Sequence, residues 1–465
     1  MKIHLKPLIP FSFSTELQIY LTGRALPYDE LTDFHPILEK HITSGYVGWM
    51  DGLSQGTCHR CGNTESHLFG EMPCSRCGKT CTYCRKCIMM GRVNACSRLH
   101  VWTGPHLEYL LKEEPLKWSG KLSPQQAEAS RKAIEAVKTH SILLIWAVCG
   151  AGKTEILFEA IAEAIHTGKR VCLAAPRTDV VLELGPRLKA AFPGIEIAVL
   201  YGGSEDRHHH GQLVISTTHQ LYRYRDAFDL MIIDEVDAFP FSGDPSLEYA
   251  AQKSRRETSS LIYLTATPSS EFKARVKKGV LDAAIIPARY HRHSIPVPEL
   301  SWCGNWEKSF AKKTIPKAVS KWLAERLQFS TPFLLFFPNI KIMEEALPLF
   351  QRLHPDIQYV HAEDPNRKEK VQSLRENKVP GLLTTTILER GVTIPRLEAA
   401  VLGTEKPIFT ESALVQIAGR VGRSADHPTG NISFFHYGKT EEMLDAVSHI
   451  KQMNAEAKRR DLIVE

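Results

Sequence analysis

The chain reads as an α/β protein with two successive parallel sheets, helices on both faces of each, preceded by a small metal-binding module. Short apolar runs recur from Ile142 to Thr386, each breaking into a polar loop. That is how strands buried on both sides of a parallel sheet look in sequence. One of them, Ile142–Val148, runs into Cys149-Gly-Ala-Gly-Lys-Thr154, a glycine-bearing loop at a helix start. Upstream of all of them, eight of the eleven cysteines fall between Cys58 and Cys96.

A chain of 465 residues has room for roughly three domains. With 43% hydrophobic and 24% charged residues it is ordinary globular material. The longest apolar run is far short of the roughly 20 residues that cross a bilayer. Met1–Phe13 holds His4, Lys6 and two prolines where a signal peptide would be apolar. The expectation is a soluble, unexported protein with no membrane span. A net charge of +6 permits a polyanionic partner without demanding one.

Residues 1–57 carry no motif and no assigned function. From Cys58 the pattern is Cys58-x2-Cys61, then Cys74-x2-Cys77, Cys81, Cys84-x2-Cys87 and Cys96. Each C-x2-C turn presents two thiolates to one tetrahedral ion, so the block over 58–115 is read as a zinc module. Eight ligands suit two ions. Cys58, Cys61, Cys74 and Cys77 can form one site, the sites can interleave with Cys58 and Cys61 joining Cys84 and Cys87, or a single site can leave thiols spare. The block between Cys58 and His100 holds seven Lys/Arg against Glu65 and Glu71, and contact with phosphate weighs evenly against a purely structural role. A motor with its own core is expected to survive loss of the Cys58/Cys61 site.

Leu122-Ser-Pro-Gln-Gln126 opens a helix, with Ser123 as cap and Pro124 in the first turn. Gln126 has an amide that both donates and accepts, which suits the edge of adenine. In the loop that follows Ile142–Val148, Gly150 and Gly152 let backbone N–H groups approach a phosphate chain, Lys153 reaches the β/γ-phosphates, and Thr154 holds Mg²⁺. Ala147 stands where the full pattern has its first glycine. Val171–Ala175 is a second buried strand ending in Pro176-Arg177-Thr178, and Val214–Ser216 leads to Thr217-Thr218. Leu230–Ile233 delivers Asp234-Glu235-Val236-Asp237 to a sheet edge. There one carboxylate can hold Mg²⁺ through water and the next can orient the attacking water. Leu261–Leu264 delivers Thr265-Ala266-Thr267, hydroxyls suited to linking that acidic loop to its neighbours.

The ordered set GAGKT, APRTD, DEVD and TAT resembles a superfamily-2 helicase or translocase. The resemblance implies two tandem RecA-like lobes, over 116–295 and 296–465. The second has Phe333–Phe337 ending in Pro338-Asn339 and Gly381–Thr386 leading to Glu389-Arg390-Gly391-Val392-Thr393. Its last motif is Gln416-Ile-Ala-Gly-Arg420-Val-Gly-Arg423. Two arginines three apart share a helical face and can meet a γ-phosphate. By this resemblance Ala151 and Glu155 join the nucleotide site, Gln416, Arg420 and Arg423 join its chemistry, and Asp237 joins Thr265 and Thr267 in coupling. Pro176, Arg177, Thr178, Gly202, Thr218, Asn339 and Thr385 are assigned to a strand-facing channel by resemblance alone. Thr386 departs from the Asp of many relatives.

The cysteine block before a compact motor, the phrase Cys84-Arg-Lys-Cys-Ile-Met-Met-Gly-Arg92 and DEVDAFP together resemble the ComFA family of late competence proteins. That implies an ATP-driven single-stranded DNA translocase, with Mg²⁺ and Zn²⁺, in the cytoplasm at the inner face of the membrane beside the DNA-uptake channel. It also implies a ComF-family, phosphoribosyltransferase-like partner. The primosomal replication-restart helicases share such a motor, but their cysteines interrupt the second lobe. A non-catalytic zinc and DNA scaffold is the reading from another class, and no motor residue that such decay removes is missing. His208-His209-His210 is set aside as a flexible loop.

Overall fold

The computed structural model describes residues 3–390 and 393–464, so Gly391 and Val392 of the expected second-lobe motif lie outside the described residues. Two parallel sheets form its body. The first has seven strands in the order Ile197–Leu200, Leu213–Thr217, Val171–Ala175, Phe228–Ile233, Arg255–Thr265, Ile142–Ala147, Asp282–Ile286. The first five of these run parallel, with Val171 opposite both Leu213 and Leu230. The second sheet has six, in the order Glu299–Trp302, Ile432–His436, Glu398–Leu402, Phe333–Phe336, Gly381–Thr384, Gln358–Val360, all parallel. The runs expected to be strands are strands, and Val171–Ala175, Phe333–Phe336 and Gly381–Thr384 are buried at every residue. Packing of the second sheet centres on Trp306, Trp322, Phe333, Phe337, Phe350 and Phe435.

Of residues 1–57, which showed no motif, the described ones are ordered by long-range pairing. Val47–Asp51 and Leu26–Pro27 flank the strand Arg98–Trp102 in an antiparallel sheet. The helices Thr15–Leu21 and His35–Thr43 cover it through Leu17, Leu21, Leu38 and Ile42. The cysteine segment is therefore an insertion between two strands of one sheet. It folds as two hairpins, Leu53–Ser54 with Thr57–Cys58 and Phe69–Pro73 with Thr80–Cys84.

Contacts divide the chain into two compact units, one of residues 1–144, 154–264 and 275–283, the other of 145–153, 265–274 and 284–465. Within the first, the N-terminal region and cysteine hairpins share a packed interior with the strands and helices of the larger sheet. Ala25 N–H donates to Arg223 O (2.8 Å) and Arg225 N–H to Gly23 O (3.0 Å). Arg170, fully buried, donates from Nη1 to Thr22 O (3.0 Å), and Arg223 Nε meets Glu30 Oε2 at 2.6 Å. The helix Pro245–Ser254 carries Lys253, whose ammonium donates to Arg60 O (2.7 Å) and Tyr222 O (3.0 Å). Burial, with Arg60 nearby, pulls the Lys253 pKa down to about 7. The cysteine module expected over 58–115 lies within this unit.

Candidate functional site

The cysteines settle into two clusters. Cys58, Cys61, Cys84 and Cys87 form one, and Cys74, Cys77, Cys81 and Cys96 the other, with the sulfurs of each within 4.8 Å of one another. This is the interleaved arrangement. Four thiols converging at that spacing fit a tetrahedral Zn²⁺, and two such sets fit two ions. The first cluster is wholly buried, whereas Cys77 is exposed and Cys96 half-buried in the second. Arg60 is the buried cation of the first cluster. It donates from Nε and Nη2 to Cys87 Sγ (3.3 and 3.1 Å) and from Nη2 to Cys87 O (2.7 Å). Hydrogen bonds from Cys58, Cys61 and Cys84, then the Arg60 charge, hold the Cys87 thiol far below its ordinary range. Donors to a ligating sulfur orient it and offset the excess negative charge of a four-thiolate site.

In the first unit, Phe228–Ile233 carries Asp234 and Glu235 past the sheet edge. Asp234 N–H donates to Ala174 O (2.8 Å), and Asp234 Oδ1 accepts from Glu235 N–H (2.9 Å). Glu235 takes φ +55°, a left-handed conformation that a side-chain-bearing residue adopts at a cost of about 1–3 kcal/mol. Strained geometry held by neighbouring strands is common where a carboxylate must be aimed. Thr154 is buried in the first turn of the helix Lys153–His166, and Glu155 in the same turn pairs with Arg187 of the helix Thr178–Ala191. Pro176, Arg177 and Thr178 lead into that helix, with Arg177 at its cap. Gly202 is exposed after Ile197–Leu200. Thr218, assigned to the strand-facing channel, has 0% exposure. Gln126 closes a capping box: its Oε1 accepts from Ser123 N–H (2.8 Å). One of the two lone pairs of its amide oxygen is thus engaged in holding the helix start.

In the second unit, the loop after Ala147 holds Gly150 at φ +84° and Gly152 at φ +71°, with Ala151 buried. Two backbone bonds tie it to one segment: Val148 N–H to Ile286 O (3.1 Å) and Tyr290 N–H to Gly150 O (3.0 Å). Cys149 Sγ donates to Gln416 Oε1 at 3.0 Å. Gln416 ends on the helix Glu411–Ala418, and just beyond it Arg420 Nε donates to Glu389 O (2.8 Å). Thr265 Oγ1 accepts from Thr267 N–H (2.9 Å), and Thr267 Oγ1 meets Ser412 Oγ at 3.0 Å. Asn339, exposed, caps the helix Ile340–Gln351, and Thr385 is half-buried after Gly381–Thr384. Sequence reading passed over Lys253, Arg289 and Ser412, all single polar residues in stretches without a motif, and counted Arg60 only among the basic residues of the cysteine block.

The two parallel-sheet lobes, the phosphate loop, the acidic strand end and the arginine motif define a superfamily-2 helicase-type enzyme, an ATP-dependent motor on nucleic acid that uses Mg²⁺. Residues 11–101 match the competence protein ComFA N-terminal domain, 119–270 the type III restriction enzyme, res subunit, and 316–425 the helicase conserved C-terminal domain. The chain is 50% identical over 447 residues to competence protein ComFA of Bacillus subtilis strain 168, covering 95% of this chain and 96% of that one. It is 37% identical over 400 residues to competence protein ComFA of Streptococcus pneumoniae, covering 83% and 91%. The chain belongs to the ComFA family. Among solved structures, Saccharomyces cerevisiae Dbp5 bound to RNA and ADP BeF3 is similar in fold, with a TM-score of 0.51 at 14% identity over 72% of this chain and 92% of that one. No helix among the described residues is long and apolar enough to cross a membrane.

Proposed function

We propose that this protein is an ATP-driven translocase on single-stranded DNA that drives uptake of transforming DNA in natural competence, with ATP hydrolysis stimulated by the strand. The observation that carries this reading is the strand order of the larger sheet. The strand ending at Ile233 neighbours the one ending at Thr265, which neighbours the one ending at Ala147. Three motif loops thus leave adjacent strands, as a nucleotide site at a parallel sheet's carboxyl edge requires.

In this reading Gly150, Ala151 and Gly152 offer backbone N–H groups to the phosphates, and Lys153 neutralises their charge. Thr154 and Asp234 hold Mg²⁺, which supplies charge neutralisation on the phosphates when bound. Glu235 orients the attacking water and takes its proton. Arg420 and Arg423 stabilise charge on the transferring phosphoryl group, with Gln416 beside them. Asp237, Thr265 and Thr267 connect these groups to loops that hold the strand. Pro176, Arg177, Thr178, Gly202, Asn339 and Thr385 face the phosphates of that strand. Lobes over 116–295 and 296–465, a ComF-family partner and a position at the inner membrane face complete the proposal, on the family resemblance.

Steady-state ATP turnover tests it, measured without DNA, with single-stranded DNA and with duplex, using Lys153→Ala as the blank. Stimulation by single strands above duplex is expected. Arg420→Ala should lower turnover on the order of 10³-fold while nucleotide binding persists. Equal rates in all three conditions would sink the DNA motor.

A further inference from the structure

Among the buried cations that the reading above leaves unused, Arg289 stands beside the phosphate loop. Arg289 follows the strand Asp282–Ile286 and has 0% exposure. A buried guanidinium is costly to desolvate unless its protons are taken up. Both amino groups go to backbone carbonyls, Nη1 to Gly422 O (2.6 Å) and Nη2 to Gly419 O (3.2 Å), while Nε is buried without a partner. Gly419 caps the helix Glu411–Ala418. That end carries the negative pole of the helix dipole, which suits a cation. The two carbonyls flank Arg420 and stand immediately before Arg423.

The other end of Arg289 is fixed to the phosphate loop. Its segment accepts from Val148 N–H through Ile286 O, and Tyr290 N–H donates to Gly150 O. The Arg289 stem lies against Gly150, with Cγ 3.5 Å and Cδ 3.8 Å from where a Cβ at that position would be. At the same place Cys149 packs on Gly419, where an added Cβ would come within 2.4 Å of the Cys149 Cβ. Burial lowers the Arg289 pKa to about 10, with Cys149 acting to raise it, so the side chain stays charged at neutral pH. One rigid side chain therefore spans from the phosphate loop to the backbone on both sides of Arg420.

We propose that Arg289 is a positioning residue for ATP hydrolysis, registering the Gly419–Arg423 turn against Gly150 so that Arg420 and Arg423 meet the transferring phosphoryl group. It acts through that backbone, to which both of its amino groups are bound. The proposal rests on the assignment of Arg420 and Arg423 to hydrolysis. A planar fork presents its donors in one fixed geometry, which a lysine ammonium on a flexible four-carbon stem does not reproduce.

The test uses the full chain with Arg289→Met, Arg289→Lys, Arg420→Ala and the Arg289→Met/Arg420→Ala pair. Turnover at saturating ATP and single-stranded DNA, affinity for ADP, affinity for ADP with aluminium fluoride, and melting temperature are measured. A catalytic group displaced by about 1 Å loses on the order of a hundredfold in rate. Arg289→Met should therefore turn over roughly ten to a hundred times more slowly, bind ADP within about threefold of wild type, and bind ADP with aluminium fluoride more weakly in proportion to its lost rate. Arg289→Lys should recover part of the rate, and the pair should be no slower than Arg420→Ala alone. Wild-type turnover in Arg289→Met beside an inactive Arg420→Ala overturns the positioning role and leaves the finger assignment standing. A pair much slower than Arg420→Ala also overturns it, since Arg289 would then act elsewhere. Wild-type turnover in Arg420→Ala overturns the finger assignment and this proposal with it. Should Arg289→Met fail to fold, Arg289→Lys decides: reduced turnover with ADP affinity and melting temperature retained supports the role, and wild-type turnover overturns it.

Discussion

Gly62 and Gly78 provide a matched pair for measuring how tightly the cysteine module is joined to the helix Pro245–Ser254. Each follows a Cys-x-Arg-Cys turn, with φ +74° and +68°, and each donates its N–H to the first cysteine's carbonyl, Cys58 O at 2.7 Å and Cys74 O at 2.9 Å. Alanine at either position carries the same left-handed penalty, about 1 kcal/mol. The surroundings differ. A Cβ on Gly62 would lie 2.7 Å from Tyr249 Cγ and 2.9 Å from Cδ1 and Cδ2, flat against the ring, whereas nothing lies within 4 Å at Gly78. Carbon contacts prefer roughly 3.5–4.0 Å, so Gly62→Ala must lift the module or turn the ring. Such overpacking adds about 1–3 kcal/mol. It also strains the Lys253 bond to Arg60 O and the Lys86–Asp244 pair (3.1 Å) on the same contact. For a unit of this size the extra loss corresponds to roughly 3–9 °C in melting temperature. Thermal unfolding of the zinc-loaded protein, followed by near-UV circular dichroism and by zinc release to a chromogenic chelator, gives both shifts. Gly62→Ala should fall clearly below Gly78→Ala, and Tyr249→Ala in the Gly62→Ala background should restore part of the loss. Equal shifts for the two alanines would refute the shared packing.

The same structure makes two other outcomes expected. A chelator in native buffer should remove one zinc equivalent quickly from Cys74, Cys77, Cys81 and Cys96 and leave ATP turnover intact, while the buried Cys58, Cys61, Cys84 and Cys87 site should yield its ion only with unfolding; release of both equivalents in one phase would contradict this. His210 should govern part of the acid limb of stability: Arg170 Nη2 lies 3.3 Å from its Nδ1, and since guanidinium only donates, Nδ1 accepts and Nε2–H faces Tyr109 Oη at 2.7 Å. Burial, then the charges of Arg170 and Arg24, lower its pKa to about 2. The unfolded chain takes up a proton near pH 6.5 that the folded chain refuses, so this contribution is complete above pH 6.5 and is lost as pH falls below it, at up to about 1.4 kcal/mol per pH unit. His210→Gln should flatten the urea midpoint between pH 6.5 and 4.5 relative to wild type, and parallel curves would remove His210 from the account.

What the sequence could show follows from where each feature's information resides. Phe333–Phe336 and Leu230–Ile233 are apolar along their length and run straight into polar motifs, so strand and site are written within a dozen residues. Gln358–Val360 has three residues and Asp282–Ile286 opens on an acid, and neither has a period of its own; each exists because a neighbouring strand offers its edge. The pairing of the cysteines was open for the same reason. Spacing identifies a two-thiolate turn, but which turns meet depends on the hairpin Phe69–Pro73 with Thr80–Cys84 folding Cys84 back toward Cys61, where the two sulfurs stand 3.6 Å apart. The three histidines set aside as a flexible loop are in part held: His209 meets Glu196 at 3.1 Å, and His210 sits against Tyr109.

Lys253 and Arg289 were illegible because a lone basic residue in sequence is almost always solvated, and what buries these two lies far along the chain. Lys253 takes its acceptors from Arg60 and Tyr222, and Arg289 takes its own from Gly419 and Gly422. All four acceptors are backbone carbonyls, groups that every residue possesses and no motif can mark. Such a cation fixes backbone to backbone at a distance, and removing it strands carbonyls without removing any recognisable site. The module's position in the chain misleads in the same way. Cysteines placed before a motor look detachable, yet Lys253 donates to the module and to the Tyr222 carbonyl together, and Ser254 Oγ donates to Leu221 O (3.1 Å) beside it. The turn Thr218–Arg223 follows directly on the strand Leu213–Thr217, so a displaced knuckle at Cys58–Gly62 moves a motor loop through one ammonium. Loss of the Cys58 cluster should for this reason reach the motor, while loss of the Cys74 cluster should not.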